Sequence, residues 1–473
     1  MVNRADLRLT GAQVLLADRG LVEADLLVTA GRISGIAAPG AAEAAETVAL
    51  RGLTVLPGGV DPHLHLGHGM DIGRPRVPED AAAETACAAV GGVTSFIPYA
   101  LAPEDYAAVF EAVKGTIEAG ARIDFGMHFI IASEAHLAGI GRYVRDLGVP
   151  TMKFFMNSRG EEGKRLGLPH MDDAWLFRAL EALREAGGML CPHPESIEIA
   201  WLLRDRAMAA DPEGRGGLAA WNATRPPFVE AEAVRRVCYL SRITGTPVYA
   251  VHVSSAEALA AALAARAEGA RVFIETCIHY LLFDETSPIG VRGKVNPPLR
   301  APADREALWH GIAQGAIDTI GTDHIHRPAS AKEGGIWKAS PGFPGLETLI
   351  PALLTEGRRR GVDLARLVAL VSRSPARIMG LGPAKGGIAV GEDADLAVVD
   401  LGARWTVGAE THSSAGYTVM EGRTLEARVV HTLVRGRFAL RDGALVADAV
   451  GTGRYVPRRL DAAFDDGAGN RDA

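Results

Sequence analysis

His63 and His65 sit two apart in PGGVDPHLHLGHG (57–69), a stretch that holds three of the 14 histidines in a chain of 473 residues. In a β-strand, residues i and i+2 point to the same side. Both imidazoles can then reach one ion, and imidazole with carboxylate suits zinc and other first-row metals. An H-x-H pair alone is as readily two core or surface histidines. The pair has company, however. His193 in LCPHPES, His252 in AVHVSS and Asp323 in IGTDH each close a further apolar run. Chance placement of all five is the weaker explanation. His68, the third histidine of the first stretch, reads as an ordinary solvated loop residue.

Lys153 lies inside an apolar run of its own, TMKFFM. A structural reading has its ammonium reach out to solvent or pair with a buried carboxylate. A chemical reading has desolvation lower the amine's pKa. The neutral amine can then add carbon dioxide to form a carbamate, whose two oxygens can bridge two metals.

These residues need a scaffold that brings strand ends together. Eight apolar runs supply one: LTVLPGGVDPHLHL, VTSFIPYAL, RIDFGMHFII, TMKFFM, GMLCPHPE, TPVYAVHVSS, RVFIETCIHYL and IDTIGTDH. Helical stretches such as 172–187 and 230–243 intervene; in the first, Trp175, Leu176, Leu180 and Leu183 recur at a helical period. The alternation predicts an α/β fold of the (β/α)8 TIM-like barrel type, with the site at the C-terminal ends of the strands. A doubly wound open sheet competes, but no Gly-rich phosphate loop opens a helix to support it. Both ends of the chain read as β-rich, and RDG at 441–443 predicts a hairpin turn. The expected organisation is a composite β-sandwich from 1–57 and 382–455, a barrel over 58–381 and a mobile tail over 456–473.

Composition narrows the classes. The chain is 48% hydrophobic and 23% charged, enough apolar material for a large core, and its formal charge of −7 argues against a nucleic-acid footprint. No apolar run is long enough to span a bilayer, and the start lacks the apolar core of a signal peptide. The four cysteines, Cys87, Cys191, Cys238 and Cys277, form no C-x-x-C pair, so no disulfide framework is expected. The expectation is a reduced, cytoplasmic enzyme.

In order and spacing, the motifs PGGVDPHLHL, KFFM, HPES, VHVSS, ETCIHYL, KVNPPLR, GAIDTIGTDH, GFPGLET, SRSPARIMGL and VGEDADLAVVD make the chain resemble the cyclic amidohydrolases: hydantoinases, dihydropyrimidinases, allantoinases and dihydroorotases. The resemblance implies a barrel carrying two divalent metal ions, zinc being the expected species. It implies that His63, His65 and Asp323 hold one metal, that His193 and His252 hold the other, and that a carboxylated Lys153 bridges them. The reaction it implies is hydrolysis of a cyclic amide or imide C–N bond by a metal-activated hydroxide. Asp323 would be the catalytic residue that moves the proton to the leaving nitrogen. Known members are commonly homo-oligomers, so a dimer or tetramer is expected, acting on a small-molecule cyclic amide.

Departures from the family patterns bear on the substrate. Gly67 stands where dihydroorotases place an arginine for the substrate carboxylate. Ser158 stands where hydantoinases place a tyrosine that donates to the oxyanion, Pro341 replaces a usual asparagine, and HIHR follows where HAPH is common. Asn157, Ser158 and Asn296 are therefore the candidate substrate contacts. Glu195 either orients ligands or sits on the rim, and His279 either backs the site or is a satisfied core histidine. A hydantoin, dihydropyrimidine or cyclic imide is favoured over allantoin. A linear-amide hydrolase, a one-metal deaminase and a non-catalytic scaffold protein are the alternatives.

Overall fold

The computed structural model of the protein describes residues 4–461. The eight apolar runs form eight successive positions of one parallel sheet. They are β1 (Gly59–His65), β2 (Val93–Ala100), β3 (Asp124–Phe125 continued by His128–Ile130), β4 (Thr151–Phe155), β5 (Met189–His193), β6 (Val248–Ala250), β7 (Val272–Cys277) and β8 (Thr319–Gly321 continued by His324–Ile325). The first half of β8 pairs with β7 and the second half pairs with β1, so the sheet closes on itself. Only Thr322 and Asp323 separate the halves, which puts Asp323 at the closing seam. β1 and β2 are buried at every position. Strands covered on both faces read as continuous apolar runs rather than alternating ones.

The helices between the strands follow from local signals. Asp172 caps the helix Asp173–Ala186 by accepting from the amides of Ala174 and Trp175, and Gly187 ends it at φ 70°. Its Leu176, Ala179, Leu180 and Leu183 are buried, while Trp175 lies at the edge of that face. The second expected helix runs longer than its apolar core suggests, over Pro227–Thr244.

The chain ends meet in one nine-stranded sheet. Thr54–Pro57 is its centre: it runs parallel to Ala5–Leu16 and antiparallel to Leu396–Asp400. Its apolar face is a separate core that includes Leu9, Val14, Leu26, Val55, Leu396 and Leu433. The RDG hairpin forms as expected. Asp442 and Gly443, at φ 51° and 76°, link Arg437–Arg441 to Ala444–Leu445, and two positive φ values are what a type I′ turn requires.

Two of the expected boundaries are corrected. Segment 405–425 leaves the chain-end sheet: Val407, Tyr417, Val419 and Met420 join the barrel's core, and Ser414 donates to Glu84. The tail does not begin at 456. The Val456 amide donates to the Phe125 carbonyl, and Arg458 is fully buried, donating to Met379, Met127 and Thr151. Its two terminal nitrogens reach the carbonyls of Met379 and Met127 and the hydroxyl of Thr151, residues far away in the chain, and a polar-looking sequence conceals this. Residues 462–473 lie outside the described residues.

Candidate metal centre

β1 sends Asp61, His63 and His65 to one side, as its alternation requires, and all three are buried. Asp61 accepts from the hydroxyl and amide of Thr322 and from the His63 amide. Burial is the main influence on its carboxyl and raises it to about 7 against these hydrogen bonds. Asp61 thereby ties β1 to the seam that carries Asp323. The Asp323 amide donates to the His63 carbonyl at 2.8 Å.

Asp323 and His252 share an unusual backbone. Their φ values are 46° and 44°, in the left-handed region that L-residues with side chains seldom adopt. His252 lies two residues beyond the end of β6, and its amide approaches Glu275 at 3.3 Å. Such conformations persist only where surrounding contacts over-determine them, and they cluster at functional sites.

The side chains meet. His63 Nε2 is 3.3 Å from Asp323 Oδ1 and 3.5 Å from Lys153 Nζ, and His65 Nε2 is 3.6 Å from the same Asp323 oxygen. His193 Nδ1 is 2.9 Å from His252 Nε2, and the His252 ring centroid is 5.4 Å from that of His63. All six side chains are buried. Burial holds His65 and His193 down to about 3 and pushes His252 well below its ordinary value. Neutral imidazoles keep a lone pair for a cation. Burial opposes ionisation of Asp323, but His63 and His65 outweigh it and hold its carboxyl far below the usual range. His63, His65 and Asp323 each offer a ligand atom within 4.8 Å of the others, while the ring nitrogens not used in these contacts, His65 Nδ1, His193 Nε2 and His252 Nδ1, have no hydrogen-bond partner. Buried, neutral imidazoles beside an ionised carboxylate, with donor atoms this close together, fit a divalent cation.

Lys153 is 1% exposed, so its ammonium does not reach solvent, and it forms no ion pair among the described residues. It sits 4.5 Å from the Tyr99 ring centroid, and burial lowers its pKa.

Glu275 was not singled out from the sequence, although it opens the ETCIHYL motif. Its Oε1 accepts from His63 Nδ1 at 2.8 Å, and both side chains are wholly buried. That bond assigns the proton to Nδ1 and leaves Nε2 free toward Asp323. The signal lay in its position, two residues before the end of a buried strand, where an unpaired acid is costly.

The substrate-side candidates divide. Asn157 lines the cavity over the cluster; its Nδ2 donates to Glu195 at 3.1 Å, and its Oδ1 is buried without a partner. Glu195 also accepts from Arg225 at 2.7 Å, so it holds Asn157 rather than a histidine. Asn296 lines the same cavity and its Oδ1 accepts from Trp221. Ser158 does not line it: its hydroxyl donates to the Pro169 carbonyl at 2.7 Å, because the turn after β4 rotates it away from the cavity. His68 is exposed and bonded to Asp80, as expected of a loop residue. His279 is buried, packs against Tyr280 and Phe343, and burial lowers it to about 4 against a backbone contact at Thr322.

Residues 240–439 match the amidohydrolase family. The chain is 32% identical to the D-hydantoinase of Geobacillus stearothermophilus over 453 residues, covering 93% of each chain. It is 33% identical to the allantoinase of Deinococcus radiodurans over 448 residues, covering 93% of this chain and 96% of that one. The structure of L-hydantoinase (dihydropyrimidinase) from Arthrobacter aurescens superposes with a TM-score of 0.87 at 30% identity, covering 96% of this chain and 100% of the other. Similarity of this degree over nearly the whole length, with the same barrel and appended sheet, places the chain in the amidohydrolase family, among the cyclic amidohydrolases.

Proposed function

We propose that the protein hydrolyses the C–N bond of a cyclic amide or imide, a hydantoin, dihydropyrimidine or cyclic imide, in a site that holds two divalent cations. The observation that supports this reading is the convergence of six buried side chains from strands far apart in sequence on one cluster, in which His63, His65 and Asp323 bring ligand atoms within 4.8 Å of one another. His63, His65 and Asp323 would hold one ion and His193 and His252 the other, with Lys153, as its carbamate, between them. Zinc fits this nitrogen and oxygen donor set. When bound, the two ions supply an activated water and polarise the carbonyl under attack.

The chain's own residues do the rest. Asp323 is ionised and has Oδ1 directed at both His63 and His65, so its other oxygen can take the proton of the attacking water and deliver it to the leaving nitrogen. Glu275 keeps His63 in one tautomer. The Asn157 amide, held by Glu195, and the loop of Asn296 border the ring's place in the cavity. The Tyr99 and Phe155 rings flank Lys153, 4.5 and 5.5 Å from its Nζ, and Tyr99 is fully buried.

Ring opening of hydantoin, dihydrouracil, allantoin, succinimide and phthalimide, measured alongside metal content, tests the reading. The expected result is about two ions per chain and turnover of at least one ring. A metal-replete protein that opens none of them refutes it. One ion with an unmodified Lys153 and release of ammonia favours the deaminase.

A further inference from the structure

Arg165 and Arg327 line the cavity that also exposes His65, Lys153, Asn157 and Asp323. Arg165 comes from the helix Gly160–Leu166 and Arg327 from the segment after β8. Arg165 is already balanced, because Glu162 pairs with it one helical turn earlier. Arg327 is not. Its guanidinium donates to the carbonyls of Pro341 at 3.2 Å and Met70 at 3.4 Å, and it forms no ion pair among the described residues. Asp71, the acid that acts on it, is engaged with Arg76 at 3.0 Å. Burial first, and then Arg165, pulls Arg327 down to about 10.

The two buried lysines nearby, Lys294 and Lys332, form no ion pair among the described residues and bring no acid to Arg327. The Lys294 ammonium donates to the carbonyls of Ile336 and Trp337, and that of Lys332 to those of Lys294 and Ser340. Burial lowers them to about 7 and about 6. Glu195 is spoken for by Arg225, and Asp323 belongs to the histidines. A half-buried guanidinium with no ion pair among the described residues, sharing the cavity with a second arginine, is arranged for an anion that arrives with the ligand. The planar fork of arginine matches a carboxylate.

We propose that Arg327, backed by Arg165, is an anion subsite of this cavity, and that the ring opened here carries a carboxylate substituent. The proposal rests on the ring-hydrolysis reading above and adds the class of ring to it. Gly67 removes one way of holding such a group beside the H-x-H pair; Arg327 supplies another from the neighbouring parallel strand of the closing seam, where Ile325 pairs with His65.

The test compares 5-(2-carboxyethyl)hydantoin with 5-(2-carbamoylethyl)hydantoin, two probes of nearly equal shape that differ in charge, on the metal-loaded full chain. The expected kcat/KM favours the acid by about tenfold or more, which is about 1.4 kcal/mol, and the preference shrinks with added salt. Arg327→Gln lowers the acid-to-amide ratio about tenfold, chiefly through KM, and Arg327→Lys keeps part of it. A wild-type ratio at or below one, or a ratio unchanged in Arg327→Gln, overturns the subsite. If neither ring is opened, calorimetric binding of the same two probes to the wild-type protein decides. Tighter binding of the acid supports the subsite while the ring-opening reading falls; equal binding, or none, overturns the subsite as well.

Discussion

Glu275 accepts the Nδ1 proton of His63 at 2.8 Å in a pair that no solvent reaches. The same oxygen lies 3.3 Å from the His252 amide, so one carboxylate steadies a residue on each side of the cluster. Removing a partner of this kind usually costs about 10- to 100-fold in metal affinity. Glu275→Gln is therefore expected to lose metal to a chelator at concentrations the wild type withstands. Metal content after graded dialysis measures it, and equal retention by both proteins would contradict the role.

Asp323 carries the proton in the proposed reaction. Loss of a general base typically costs about 100- to 10,000-fold. Asp323→Asn keeps the shape and one ligating oxygen, so kcat is expected to fall in that range. Near-normal turnover at full metal occupancy would remove Asp323 from the proton path.

Lys153 is expected to carry one added carbon dioxide when the metals are present. Native mass spectrometry of the loaded protein reads the addition directly, and Lys153→Arg should lack both the addition and most of the metal. An unmodified Lys153 in a fully loaded, active protein would exclude the bridge.

Glu84 sets an acid limit on stability. Burial pushes its carboxyl up, but the His324 Nε2–H at 2.9 Å and the Ser414 amide and hydroxyl outweigh it and bring it to about 2. A carboxyl whose folded value is depressed stabilises the fold above its ordinary value, and the contribution is lost as pH falls. The loss is expected between pH 4.5 and about 2, and it amounts to about 3 kcal/mol. Thermal melts from neutral pH down to pH 3 should show a steeper decline for the wild type than for Glu84→Gln. Parallel declines would place the acid sensitivity elsewhere.

Arg458 stands where a mobile tail was expected. Its side chain donates to Met379 and Thr151 at 3.0 and 2.6 Å and also to Met127. Charge-assisted hydrogen bonds contribute about 1.5–3 kcal/mol each in favourable cases. Arg458→Met should therefore lower the melting temperature by several degrees. An unchanged melt would mean that the barrel base does not need this residue.

Much of this was legible before any coordinates. Strands covered on both faces must be apolar throughout, so a polar residue closing such a run stands out; His63, His65, His193, His252 and Asp323 were visible for that reason. The hairpin at Asp442–Gly443 and the capped helix after Asp172 were legible because their signals are local. Glu275, Asp61 and Arg458 were not, since a buried charge is recognised by its partners, and those lie on other strands. Ser158 misled because adjacency to Asn157 says nothing of which way a turn rotates the side chain.

Sequence alone determined the alternating strand-and-helix order, the donor types and the placement of each donor at a strand end, since period and burial are written residue by residue. Only the tertiary structure decided that Thr322 and Asp323 form the seam where the barrel closes, that Glu275 selects the tautomer of His63, and that Arg327 faces the cavity without an ion pair among the described residues. Those depend on distances between residues far apart in the chain, and such distances exist only once the sheet has closed.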